Sequence, residues 1–139
     1  MGRWLAVALT LGLAGCVAPR AGSAPASACA TGDAMVETQL FFGLSKPTGG
    51  TVSGRDWDAF VAREVSPRFP EGFSVIDGAG FWRDGATQKT ISEKSKVVVR
   101  LHPPSAEANQ AIGAIVDAYK VKFEQEAVLR VDRPVCATF

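Results

Sequence analysis

Histidine occurs once in this sequence and cysteine three times, which removes several chemistries at the outset. Two remote cysteines and one histidine show no metal-ligand spacing, so no metal site is expected. Charge of either sign is not in excess: 15 Lys+Arg stand against 14 Asp+Glu, with no long basic run. That balance argues against nucleic acid as a partner, because such affinity comes largely from neutralised phosphates. No apolar run reaches the roughly 20 residues needed to cross a bilayer as a helix. No phosphate loop, dinucleotide fingerprint or nucleophile elbow is present, so no cofactor is expected.

What is present begins with a leader. Met1-Gly2-Arg3 gives a short positive start, and Trp4 to Ala14 is an apolar run broken only by Thr10 and Gly12. Its length suits a secretory signal rather than a membrane span. The run ends in Leu13-Ala14-Gly15-Cys16, which resembles the bacterial lipobox. Small residues at 14 and 15 suit the peptidase, and the Cys16 thiol is the acceptor for diacylglycerol. Two or three acyl chains anchor stably where one is marginal. Val17, rather than aspartate, follows the cysteine, as in cargo sorted to a Gram-negative outer membrane. The expectation is an exported, lipid-anchored protein: leader 1–15, lipidated Cys16 and tether 16–34, and one domain over 35–139. The tether carries Pro19, Gly22, Ser23, Pro25, Ser27 and Gly32 without apolar periodicity.

With Cys16 consumed by lipid, Cys29 and Cys136 remain. In an oxidising compartment an isolated pair forms a disulfide, here tying the end of the tether to the C-terminal region.

The domain reads as strand, helix, strand, strand, helix, strand. Val36, Thr38, Leu40 and Phe42 share one face of a strand over Met35–Phe42. Ser53, with Asp56 three residues on, has the form of a capping box. It opens a helix whose stripe is Trp57, Phe60, Val61 and Val65, and which Pro67 ends. Phe73–Trp82 is a strand whose Gly78 and Gly80 suggest a bulge or a close backbone approach. Asp84-Gly85 turns it into a hairpin returning through Lys89–His102, with Val97, Val99 and Leu101 as its buried face. Ser105 caps a second helix carrying Ala108, Ile112, Ile115, Val116, Tyr119 and Phe123. Ala127–Asp132 is the last strand, and Pro134–Phe139 a tail. This split βαβ order predicts an α+β ferredoxin-like sandwich, a four-stranded antiparallel sheet with two helices on one face.

Several segments resemble one family. Trp57-x-x-Phe60, Ser66-Pro67-Arg68-Phe69-Pro70-Glu71-Gly72, Gly80-Phe81-Trp82-Arg83, Glu93-Lys94-Ser95-Lys96-Val97 and Tyr119-Lys120-x-Lys122-Phe123-x-Gln125-Glu126 are similar to the DUF3574 family of small exported bacterial proteins. The likeness runs from about residue 37 to the C-terminus. Phe81 and Ala127 stand where more polar residues fit the family pattern. The resemblance implies domain limits and export; it carries no activity.

On these strand phases Glu37, Gln39, Arg100 and His102 share the sheet face that the helices leave open, with Arg130 and Asp132 nearby. A carboxylate, a guanidinium and the single histidine form the weak catalytic or anion-binding set Glu37, Arg100 and His102. The plainer readings are a solvated face with cross-strand ion pairs, or a surface for a sheet-to-sheet homodimer. The loops Ser53 to Trp57 and Arg68 to Gly72 offer a second possibility, the rim of a pocket with Arg68, Phe69 and Trp82 as its contacts, although such aromatics more often plug a core. Ser92-Glu93-Lys94-Ser95-Lys96 sets hydroxyls beside lysines, but neighbours on a strand point to opposite faces. The leading expectation is a non-catalytic binding or interaction module that meets an envelope protein or a small ligand. The alternative is a small enzyme or small-molecule binder.

Overall fold

The computed structural model describes residues 29–139 apart from positions 84 and 86. The leader, Cys16 and most of the tether lie outside the described residues, as do two positions of the hairpin turn. Four strands, β1 (Asp33–Gly43), β2 (Ser74–Arg83), β3 (Thr90–His102) and β4 (Leu129–Ala137), form one antiparallel sheet in the order β2-β3-β1-β4. Two helices, α1 (Gly54–Phe60) and α2 (Ala106–Phe123), complete the ferredoxin-like α+β sandwich.

Local sequence explains each boundary. The Ser53 hydroxyl accepts the Asp56 N–H at 3.2 Å and donates to its carboxylate at 2.7 Å, starting α1. The chain then widens into a π-helical turn over Val61–Val65, with the Ser66 N–H reaching Val61 O at 2.8 Å. Ser105 caps α2 through Ala108 N. Glu124 ends it in a left-handed conformation at φ 57°. The glycines of β2 make no bulge, because pairing with β3 runs unbroken from Ser74 to Arg83. Gly78 makes a close approach instead: a Cβ there would stand 2.9 Å from Ser95 Oγ, which would have to turn away.

Leu40, Phe42 and Val98 bring the sheet to the core, meeting Trp57, Phe60 and Val65 from the α1 segment and Ile112, Ile115, Tyr119 and Phe123 from α2. From the sheet, Phe42 meets the helices edge-on: Tyr119 at 4.7 Å, Trp57 at 5.4 Å and Phe60 at 6.0 Å. Each such pair adds about 0.5–1.5 kcal/mol beyond burial. Tyr119 donates its hydroxyl to Gly43 O at 2.7 Å. Burial, with a smaller push from Glu93, raises the phenol well above its ordinary range, so it stays a donor.

Three expectations need correction. β4 continues through Pro134 to Ala137 instead of stopping at Asp132. It is an edge strand, where a proline lacking an N–H can sit without breaking a ladder. β1 pairs from Asp33, two residues early, since Asp33 and Ala34 lie opposite Ala137 and Cys136. Cys29 and Cys136 are joined in a disulfide at that corner, with Cα atoms 5.6 Å apart.

The third correction bears on function. The buried phase of β3 is Val98, Arg100 and His102, not Val97, Val99 and Leu101. β1 fixes this, because directly paired residues share a face: Thr38 faces Arg100 and Val36 faces His102. Both faces of β3 are apolar enough to mislead a period-two reading. The uncovered face therefore carries Val97, Val99 and Leu101, half-buried, beside Phe41 and the exposed Ile76 and Val131.

Candidate functional site

The sheet separates the polar set read from the sequence. Glu37 is on the uncovered face, where Arg133 on β4 pairs with it at 2.8 Å and Gln39 donates to it at 2.6 Å. Those hydrogen bonds, Arg133 first, hold its carboxyl below the usual range. Arg100 and His102 point to the helix side, against the expectation that all three meet. Arg130 and Asp132 also pair with helix-side positions of β1, Leu40 and Thr38. The loop-rim set separates too. Phe69 is a core plug beneath the Arg100 guanidinium, whereas Trp82 is exposed near the hairpin turn, paired with Ile91. Nine strand steps from Ile91 to Arg100 correspond to about 30 Å.

What the helix side brings together is a compact polar cluster at the N-terminal end of α2. His102, only 2% exposed, lies with Nε2 2.9 Å from Thr38 Oγ1 and Nδ1 2.8 Å from Pro103 O. Thr38 donates to Asp132 Oδ1 at 2.5 Å. A carbonyl only accepts, so Nδ1 donates to Pro103. The Thr38 hydroxyl carries one proton, which serves Asp132, and its oxygen stands against His102 Nε2. Burial pushes the Asp132 carboxyl up, but the bonds from Thr38 and Arg130 outweigh it and hold it below the ordinary range. Arg130 reaches Asp132 at 2.9 Å and Asn109 on α2 at 2.6 Å. The order carboxylate, hydroxyl, imidazole is not that of a nucleophilic triad, in which the imidazole stands in the middle. The hydroxyl is also sealed in the core, with Thr38 1% exposed.

Beside this cluster Arg100, 7% exposed, stacks on Phe69 with its carbon 4.3 Å from the ring centroid. Its terminal nitrogens reach Arg68 O and the Glu71 carboxylate, each at 3.3 Å, long for charge-assisted bonds. Its buried Nε has no partner among the described residues. Arg68 itself is held by Glu64 at 2.8 Å. Two adjoining clefts, about 360 and 420 Å³, meet at His102 and Ser105; Arg100, Arg68 and Glu71 line the first, Asp132 and Arg130 the second. The Glu107 carboxyl, lowered first by its own backbone N–H and then by Ser105, folds back over the start of α2.

A larger groove of about 960 Å³ runs between residues 44–54 and the outer part of the β2–β3 hairpin. Lys96 pairs with Asp77 in it. Ser92, Lys94 and Ser95, singled out in the sequence, line this groove. Among the described residues no group of His, Cys, Asp or Glu is arranged to hold a metal, and no helix is long and apolar enough to cross a membrane.

Thr38 was not among the residues singled out for the site, and Glu71 stood inside the Arg68–Gly72 loop rim without a role or partner of its own. Thr38 had a signal: a hydroxyl in the buried phase of β1 requires a buried partner. Glu71 had none, because its contact with Arg100 spans 29 residues.

The fold and its polar end define a small split-βαβ protein with one sheet face covered by helices and, among the described residues, the other left bare. Within that class the chain belongs to the family described as Protein of unknown function (DUF3574), which matches residues 37–139. No curated protein matches the chain. Among solved structures it is similar to a phage SAM lyase in complex with S-methyl-5'-thioadenosine, with a TM-score of 0.55 and 16% identity over 77% of this chain and 92% of that one. The apo state of a phage SAM lyase gives a TM-score of 0.49 and 17% identity, covering 76% and 92%. At these identities the likeness is one of fold.

Proposed function

We propose that this is an exported lipoprotein, acylated at Cys16, whose domain binds a small ligand carrying a carboxylate or phosphate without transforming it. The leader and the Gly15-Cys16 junction support the anchor. The Cys29–Cys136 disulfide suits an oxidising compartment outside the cytoplasm. Membrane contact is made through the lipid, and Val17 suits an outer-membrane address facing the periplasm.

The observation that carries the ligand class is Arg100, a buried guanidinium with an unmatched N–H and only long bonds to its present partners. A planar anion can engage such a fork bidentately. Glu71, whose side chain is 72% exposed, is the weakly held anion that a ligand displaces. The test is thermal unfolding with inorganic phosphate and with succinate, using chloride at equal ionic strength as the control. Saturable stabilisation is expected in the parent and not in Arg100→Lys, which keeps the charge but loses the fork. Equal stabilisation in both proteins, or none beyond chloride, removes this reading.

The shared fold favours a second reading, a nucleoside thioether site like that of the phage SAM lyase. Calorimetric titration with S-methyl-5'-thioadenosine decides it: heat that saturates supports the reading, and a flat trace ends it.

A further inference from the structure

The uncovered face of the sheet is not built like a solvated surface. Phe41, Val97, Val99 and Leu101 line its two central strands, flanked by Ile76, 54% exposed, and Val131, 41% exposed. Four strands about 4.8 Å apart and about seven residues rising about 3.3 Å each give a patch of roughly 440 Å² in projection. That lies within the range of the largest patches that monomers expose, which are often functional.

Charge decides what the patch fits. Glu37 and Arg133 sit on this face already bonded to each other at 2.8 Å, and Gln39 fills a further acceptor position of Glu37. Glu93, at the rim, accepts the Ser45 N–H at 2.8 Å. Within the patch the Glu37 and Arg133 charges cancel, and the remaining carboxylate, Glu93, sits at the rim with a backbone N–H as its partner. An ion pair satisfied within its own sheet can be covered without leaving an orphaned charge, the costly outcome in burial.

We infer that this face is the isologous interface of a homodimer, two copies packing sheet against sheet about a two-fold axis near Val99 and Phe41. Each copy presents the same neutral apolar stripe, so a two-fold match meets apolar surface with apolar surface. With side-chain relief the two patches bury on the order of 1,000 Å², the lower limit for a specific interface. The dimer is therefore weak in solution and favoured where copies are confined together on a membrane. Both clefts around His102 lie on the other side of the sheet, so dimerisation leaves them open.

Residues 29–139 hold the whole described core and both bonded cysteines, so the soluble chain from residue 17 onward is the test material. Sedimentation equilibrium up to about 1 mM protein should show a monomer–dimer equilibrium. Val99→Glu and Val131→Glu should each weaken it at least about tenfold, since either places an unpaired charge in the interface. If Val99→Glu fails to fold, Ile76→Lys replaces it, because that side chain contributes little to the core. A monomer at every concentration overturns the proposal, as does a dimer whose affinity the folded variants leave unchanged. A monomer that instead binds neutral phosphatidylcholine vesicles through this face, and loses that binding in Val131→Glu, also overturns it and makes the patch a lipid-contact surface.

Discussion

Thr38 shows how much one hydroxyl can hold. It joins the buried imidazole of His102 to the carboxylate of Asp132, linking β1, β3 and β4 at one point. Thr38→Val keeps the shape and removes both bonds, leaving His102 Nε2 sealed without a partner. A loss of about 1–3 kcal/mol is expected, read from the urea midpoint. Asp132 gives the pH dependence its sign. Its carboxyl is held below the ordinary range in the folded protein, so the stability it contributes is present at neutral pH. That contribution fades as pH falls through the ordinary carboxylate range and is gone below the folded-state value. The gap in melting temperature between the parent and Asp132→Asn should accordingly narrow on acidification. A gap that stays constant down to the acid limit would show that Asp132 contributes no pH-dependent stability.

Among the elements, those with one clean apolar face were legible in advance. α2 kept its cap and its stripe, and Val36, Thr38, Leu40 and Phe42 fell together as their alternation implied. β3 was legible as a strand but not in phase. Val97, Val98 and Val99 are three β-branched residues in succession, so alternation alone assigns the apolar phase to the core. In the folded protein that phase is the bare face, and Arg100 and His102 turn inward, where Phe69, Thr38 and two carbonyls meet them. Such partners lie 29 to 64 residues away, except for Pro103, which is why no local pattern announces them. The disulfide is the other contribution at this scale, since it fastens the approach to β1 onto the edge strand β4. Its 107-residue separation sets a chain-entropy upper figure of about 4.7 kcal/mol. Replacing Cys29 and Cys136 together by serine should lower unfolding stability by up to that figure, with the core signals retained and the denaturant slope raised by the more open unfolded chain.

For the molecule as a whole, address and chemistry rest on different parts of the chain. The anchor reading depends on Cys16 alone, so Cys16→Ser should abolish acylation, as shown by intact mass and by partition into detergent. A variant recovered with its lipid still attached would refute it. The domain behind the anchor then has two independent sides. Its helix side holds the Arg100 cleft, and its bare side holds the self-matching patch, so ligand affinity and self-association should respond to separate substitutions.

The clasp between Cys29 and Cys136 has a mechanical consequence. A tug arriving along the tether reaches Cys29 before any strand, and there it divides covalently between the central β1 and the outermost β4. Peeling cannot begin at that corner, because the two ladders that would part first are tied at their ends. On the proposed anchoring at Cys16, a protein dragged by its lipid through a fluid membrane would give way, if at all, at the opposite margin, where β2 is the other edge.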